Sequence, residues 1–325
     1  MSDKKLNLVV LMGGPSAEHD VSLATGKVIL SALDKEKYNP IPVVVPKDGQ
    51  WTLPPETDVV FIAMHGAYGE DGTVQGFLES ARVPYTGSGI LASALAMDKL
   101  KSNEIFAFHG LKVPEYISFS KKEWAKNKSE ITAEIKEKVS LPCVIKPSNC
   151  GSSVGIAIVK KIEDLENAVQ SAFSYGDIVL AQKYISGTEV TCAILDESLG
   201  KESIALPPTQ IIPKGSAFFD YRAKYTPGAT EEITPPRLAQ DIIKKIQENA
   251  LKAHKILGCS GMSRTDMIVS GENILILETN TIPGMTETSL YPQAAAAVGI
   301  SFPELLDKII LSAINKRGWC GVEFF

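Results

Sequence analysis

Short apolar runs bounded by turn residues mark the first part of the chain: Leu6–Met12, Ile41–Val45 and Val59–Met64. Their apolar positions are nearly continuous, the pattern of strands covered on both faces. Between the first two, from about Ser22 to Leu33, apolar residues return at helical spacing. Strand, helix and strand in succession predict a parallel α/β layer for residues 1–95.

Asp98 then reads as a helix N-cap, with Leu100, Ala107 and Phe108 on one face and Gly110 and Pro114 ending the helix. An extended Tyr116–Ser120 and a lysine- and glutamate-rich stretch over 121–138 come next. Strands follow at Cys143–Lys146 and Gly155–Val159, then a helix around Leu165, Ala168, Ala172 and Phe173, then a strand at Ile178–Lys183. These make a second mixed unit over 96–184. The remainder, 185–325, is strand-rich from Glu189 and contains a long stretch over 207–236 full of proline, glycine and polar residues. Loops of that length inside compact proteins are functional lids or disordered segments. A helix with Ile242, Ile246, Ala250, Ala253 and Leu257 on one face, two alternating strands and a last helix near Pro303–Asn315 complete the pattern.

With 325 residues the chain is long enough for two or three domains of roughly 100–200 residues. Hydrophobic residues at 44% and charged residues at 22% exclude wholesale disorder. The 33 Lys and Arg against 38 Asp and Glu leave a net charge of -5, a poor match for a nucleic-acid backbone or an anionic membrane. Any phosphate must therefore be held by a local site. Five cysteines with no CxxC spacing argue against a disulfide framework or zinc and for a reducing compartment. No apolar run approaches the roughly 18 residues of a membrane helix, and Leu6–Met12 is too short for a signal peptide, so the expected location is cytoplasmic.

Four places carry candidate chemistry. Gly13-Gly14-Pro15-Ser16 follows the first strand and precedes a helix, a place for an anion or simply for a tight turn. Glu18 just beyond it suits an ammonium or the first turn of that helix. His65-Gly66 and Gly69-Glu70-Asp71-Gly72 lie at the carboxyl end of a strand, where open α/β sheets hold ligands, although a lone histidine is most often structural. Lys146 ends an apolar strand and leads into Pro147-Ser148-Asn149-Cys150-Gly151-Ser152-Ser153-Val154-Gly155, a loop able to wrap phosphate or form a surface hairpin.

The strongest signal is the pair Arg264-Thr265-Asp266 and Glu278-Thr279-Asn280. If their strands pair across a turn at Ser270–Asn273, Asp266 faces Glu278, and like charges opposite each other call for a cation between them. Asp, Glu and Asn are oxygen ligands suited to Mg²⁺. The alternative is a solvated sheet face with a surface Arg264–Asp266 ion pair. Directly after, Gly284 offers an N–H to a developing oxyanion and Ser289 a hydroxyl to a carboxylate, or the segment is a turn and helix cap.

Taken in order, seven segments resemble the D-alanine–D-alanine ligases of the ATP-grasp superfamily: residues 13–23, 65–72, 97–99, 146–155, 221–225, 264–266 and 278–290. The resemblance implies a three-domain ATP-grasp architecture of mixed α/β class, divided as 1–95, 96–184 and 185–325, with the stretch 207–236 as a closing lid. It implies ligation of two D-alanine molecules through an acyl phosphate for peptidoglycan precursor synthesis, with ATP and two Mg²⁺ (Mn²⁺ as an alternative) and a homodimer as the assembly. Lys99, Lys146, Ser153, Lys183, Glu189 and Lys224 would meet ATP, and Asp266, Glu278 and Asn280 the metal. Glu18 would take the first ammonium beside His65, Arg264 and Gly284 would form the oxyanion hole, and Ser289 and the Leu290 amide would bind the second carboxylate. Tyr225, Ser152 and Glu18 would latch the lid, and a tyrosine at the lid position goes with D-alanine as second substrate in the family.

The chain departs from the family at Cys150, where many relatives are acidic, and at Gln182, where a Glu is common near the adenine. D-lactate- or D-serine-using ligases, a non-catalytic nucleotide-binding module and a periplasmic-type sensor remain as other readings. The module is expected to lack one of Lys146, Arg264, Asp266, Glu278 or Asn280, and the sensor to carry an export signal.

Overall fold

The computed structural model describes residues 5–151, 154–197, 202–214, 230–286 and 289–315. Strand β1 (Leu6–Gly13) runs between β2 (Tyr38–Val45) and β3 (Val59–Ile62), both parallel to it, with helix α1 (His19–Ala32) as the crossover. This is the parallel layer that the apolar runs predict. Leu8 to Leu11 and Val59 to Ile62 are fully buried, as strands covered on both faces must be. Helix α1 begins three residues before the expected Ser22, because the polar turn at Ser16–Glu18 is already part of its approach: Ser22 N donates to Glu18 O at 2.9 Å.

Helices α2 (Thr73–Ser80) and α3 (Ile90–Met97) lead to α4 (Lys99–Phe108). Asp98 caps α4 through Leu100 N at 3.0 Å and Lys101 N at 3.1 Å. The face predicted for this helix is wrong: Phe108 is 86% exposed, while Lys99, Ser102, Asn103 and Phe106 turn inward. The inward face is set by Lys99 reaching charged partners and not by apolar periodicity.

A four-stranded antiparallel sheet follows in the order β4 (Tyr116–Ser120), β7 (Ile178–Lys183), β5 (Cys143–Pro147), β6 (Ala157–Val159). Helices α5 (Lys121–Glu134) and α6 (Leu165–Ala172) belong to the same unit. The lysine-rich stretch is therefore helical, opened by a capping box between Ser120 and Glu123.

The last sheet is antiparallel, ordered β11 (Thr230–Ile233), β10 (Thr209–Pro213), β8 (Thr188–Leu195), β12 (Met262–Ser270), β13 (Asn273–Asn280), with β9 (Ile204–Ala205) on β8. The two ends of the proline-rich stretch thus pair as β10 and β11, and residues 215–229 between them lie outside the described residues. Helix α7 (Gln240–Leu257) buries Ile246, Ala250, Ala253 and Leu257 against this sheet. Helices α8 (Leu290–Ala296) and α9 (Phe302–Ile314) fold back: Tyr291, Leu305 and Ile309 share one core cluster with β1 and β3.

A buried polar network pins the start of β12. His254 places Nδ1 2.8 Å from Ser263 Oγ and Nε2 3.2 Å from Asp196 Oδ1, and Gly261 N donates to Asp196 Oδ2 at 2.6 Å. Burial alone would push the Asp196 carboxyl up, but His254, Ser203 and Gly261 N together hold it down at about 2. A carboxylate depressed on folding adds stability above its unfolded value near 3.9, and that stability is lost as pH falls toward 2. Asp196→Asn is expected to cost about 2 kcal/mol at neutral pH. Urea midpoints of the two proteins should draw together as pH falls from about 4 and converge below about pH 2; a gap that stays undiminished there contradicts the assignment.

Candidate active site

Glu18 stands at the head of α1 and is buried. A Cβ placed on Gly66 would lie 2.6 Å from Glu18 Oε2, and one on Gly151 would lie 3.0 Å from it. The turn after β3 and the loop after β5 therefore both close on this carboxylate, and only glycine permits the approach. Ser16 Oγ donates to His65 O at 2.7 Å, and His65 N donates to Ser22 Oγ at 2.9 Å, which locks the two turns together.

His65 is buried, with Nε2 2.9 Å from Thr25 Oγ1 and Nδ1 3.2 Å from Ile282 O. Burial pushes its imidazole down, but the Glu70 carboxylate at 3.8 Å, Glu18 and the Ile282 carbonyl outweigh that and raise it. The histidine is thus wired to the site and to the segment after β13, a link that a lone histidine in a sequence does not reveal. Glu18, Ser22 and Thr25 follow helical spacing, a signal that would have found Thr25. Glu70 also accepts Gly66 N at 2.9 Å, a role its glycine-rich surroundings obscure.

Lys99 at the start of α4 is buried; its Nζ donates to Cys150 O at 2.6 Å and lies 3.1 Å from Glu278 Oε2. Lys146 on β5 is also buried, and burial together with the neighbouring Lys99 pushes its ammonium down to about 8, against the pull of Glu278. Lys183 and Glu189 sit at the facing ends of β7 and β8; Lys183 Nζ points outward to Glu115 at 2.7 Å and is not joined to the other lysines. Beside it, the buried Gln182 has an amide nitrogen with no hydrogen-bond partner, a donor left for something else.

Asp266 faces Glu278 and Arg264 faces Asn280, the pairing the sequence predicts, but it is reached through a one-residue shift between Asp266 and Met267; the turn register, with Ser270 facing Asn273, would by itself set Asp266 opposite Leu277. Arg264 grips Asp266 with two parallel bonds of 2.8 Å, and Asp266 also accepts from Thr191 Oγ1 at 2.6 Å and Asn280 Nδ2 at 3.3 Å. The ion pair of the alternative reading is present, but it is buried and not solvated, with Asp266 6% exposed. The two facing carboxylates are already balanced by protein cations, Arg264 on Asp266 and Lys99 on Glu278. Repulsion alone therefore does not demand a metal.

The donors nonetheless fit a divalent cation in kind, since all are oxygen ligands on adjacent strand positions. Among the described residues no group of three His, Cys, Asp or Glu side chains gathers for a metal, so Asn280 is needed as the third ligand. With four hydrogen bonds on Asp266, a metal there must displace one donor.

Beyond the hairpin, a Cβ on Gly284 would lie 2.8 Å from Ser289 Oγ, which also lies 2.8 Å from Thr286 Oγ1. Leu290 is buried against Ile211 of β10. Glu232 on β11 and Gln293 on α8, neither singled out from the sequence, meet here: Gln293 Nε2 donates to Glu232 Oε2 at 2.8 Å. Ser152, Ser153, Lys224 and Tyr225 lie outside the described residues.

The family descriptions "D-ala D-ala ligase N-terminus" and "D-ala D-ala ligase C-terminus" match residues 7–58 and 53–88, and 105–311. The chain is 46% identical to a D-alanine–D-alanine ligase of Syntrophobacter fumaroxidans, covering 97% of this chain and 100% of that protein. It is 43% identical to one of Pelotomaculum thermopropionicum, covering 98% and 99%. Among solved structures, the VanG D-Ala:D-Ser ligase of Enterococcus faecalis aligns with a TM-score of 0.84 at 32% identity over 94% of this chain and 99% of that one. The D-alanine–D-alanine ligase of Bacillus anthracis complexed with ATP aligns with a TM-score of 0.80 at 36% identity, over 96% and 97%. With both halves matched and relatives this similar along nearly their whole length, the chain belongs to the D-alanine–D-alanine ligase family.

Proposed function

We propose that this chain joins two D-alanine molecules into D-alanyl-D-alanine, with ATP converted to ADP and phosphate, as a cytoplasmic step of peptidoglycan precursor synthesis. The observation that carries the reading is the convergence of Lys99, Lys146, Arg264, Asp266 and Glu278 from α4, β5 and the β12–β13 hairpin. The free thiols at Cys143, Cys150, Cys192 and Cys259 suit a reducing compartment, and no helix among the described residues is long and apolar enough to cross a membrane. The three sheets support the division at 95 and 184, and the family suggests a homodimer, which sedimentation tests.

In this reading Lys99 and Lys146 meet the phosphates, Lys183 and Glu189 face the nucleoside, and the spare Gln182 donor lies at the same end. Glu18 takes the ammonium of the first D-alanine with His65 beside it. The carboxylate of that D-alanine attacks the γ-phosphorus, ADP leaves, and an acyl phosphate forms. The amine of the second D-alanine, having lost its proton, attacks the acyl carbon; Arg264 and the Gly284 N–H stabilise the oxyanion, and phosphate leaves. Ser289 and the Leu290 N–H hold the second carboxylate. Two Mg²⁺ ions (or Mn²⁺) on Asp266, Glu278 and Asn280 would neutralise charge on the transferring phosphoryl group. By family analogy Lys224 meets the γ-phosphate, Ser153 a phosphate oxygen, and Tyr225 and Ser152 join Glu18 in closing the site against water.

Incubation with ATP, Mg²⁺ and D-alanine, with products identified by mass, tests the reading. A D-Ala-D-Ala product that L-alanine does not replace supports it; a D-Ala-D-Ser or D-Ala-D-lactate product in mixed incubations redirects it. A pH profile adds a second check. Lys146 carries its charge below about 8 and loses it above, so kcat/KM for ATP should fall as pH rises through that value. An unchanged kcat/KM up to pH 10 would contradict the lowered Lys146 ammonium, and Lys146→Met, expected to raise KM for ATP, tests its place at the phosphates.

A further inference from the structure

Arg264 is bonded to one carboxylate of the site and attracts a second through space. Asp266 takes both arms of its guanidinium at 2.8 Å. Glu232, on the strand that leads out of residues 215–229, lies within the field of the same guanidinium.

Glu232 is not a loose surface acid. It is part-buried, and its carboxylate accepts a hydrogen bond of 2.8 Å from Gln293 Nε2. Gln293 lies one helical turn after Ser289, to whose carbonyl its backbone N–H is bonded at 3.2 Å. Glu232 is therefore fixed beside the segment that carries Gly284, Ser289 and Leu290. Burial pushes its carboxyl up, and Gln293 and Arg264 offset that only in part, so it sits above the ordinary glutamate value.

We propose that Glu232, anchored by Gln293 beside Ser289, is a specificity-determining carboxylate that selects the acceptor by its net charge; this rests on the ligase reading above. A D-amino acid acceptor is a zwitterion, so repulsion of its carboxylate by Glu232 is offset by attraction of its ammonium. A D-2-hydroxy acid such as D-lactate carries a carboxylate with no ammonium, and its repulsion stays uncompensated. D-serine has the same charges as D-alanine, so Glu232 does not distinguish those two.

The test measures products from equimolar D-alanine and D-lactate, and from equimolar D-alanine and D-serine, for the wild type, Glu232→Gln and Glu232→Lys. The D-lactate share should rise roughly tenfold in Glu232→Gln and further in Glu232→Lys, the scale of removing one nearby charge at intermediate dielectric. The D-serine share and KM for ATP should stay unchanged. Equal D-lactate shares in all three proteins overturn the proposal, and so does a parallel rise with D-serine, which would mean a loosened pocket. If the variants do not fold, Gln293→Ala and Gln293→Glu supply the same test, because the second adds a negative charge and should lower the D-lactate share. Failure of the ligase reading itself is separate: it appears as no dipeptide from D-alanine in the wild type.

Discussion

Glu278→Gln is expected to fold normally and to lose at least about 100-fold in ligation rate, the scale of removing one preorganised charged partner from a buried site. Glutamine keeps the shape of the side chain, so packing between β13 and β12 stays as it is. It removes the charge that balances Lys99, whose ammonium is 3.1 Å away and also holds Cys150 O. A buried ammonium left without its carboxylate is costly, and the loop after β5 that it ties down loses its anchor. The same change removes one of two carboxylates on the facing pair with Asp266. Thermal melting and ADP release on the same preparation check this. A folded variant with near-normal turnover would remove Glu278 from the site.

Gly66→Ala is expected to raise KM for the first D-alanine by more than about tenfold and to leave KM for ATP nearly unchanged. The added methyl would sit 2.6 Å from Glu18 Oε2, so the carboxylate must turn away. Gly66 also has φ +74, a backbone region that costs an L-residue about 1–2 kcal/mol. Gly271→Ala separates the two effects. Its φ is +59, yet nothing lies within 4 Å of the added Cβ, so it should lose a little stability and keep its kinetics. Equal kinetic damage in both variants would mean that backbone strain, and not the position of Glu18, is responsible.

The hairpin was the most legible part of the molecule. A glycine turn between two apolar strands brings the two carboxylate-bearing ends side by side, but a one-residue shift between Asp266 and Met267, which no turn signal marks, is what sets Asp266 opposite Glu278. The parallel layer was legible for the same reason, since continuous apolar runs have few alternatives. Helix α4 was not, because its inward face is chosen by Lys99, whose partners Glu278 and Cys150 are remote in sequence. A pattern of apolar spacing has no term for such a charge. Thr25 and Glu232 escaped for a related reason: each acts through a contact with a residue from another element, and no local motif marks it. The cations that balance the two facing carboxylates were half visible, since Arg264 shares a strand face with Asp266 whereas Lys99 arrives from α4.

In the proposed reaction the first D-alanine is activated by phosphorylation of its own carboxylate. The direct measurement is to supply D-alanine labelled with ¹⁸O in the carboxylate, together with ATP and Mg²⁺, and to weigh the phosphate released. One labelled oxygen is expected in the phosphate for each dipeptide formed, because the oxygen that attacks phosphorus leaves with it. Dipeptide formed with unlabelled phosphate would contradict it.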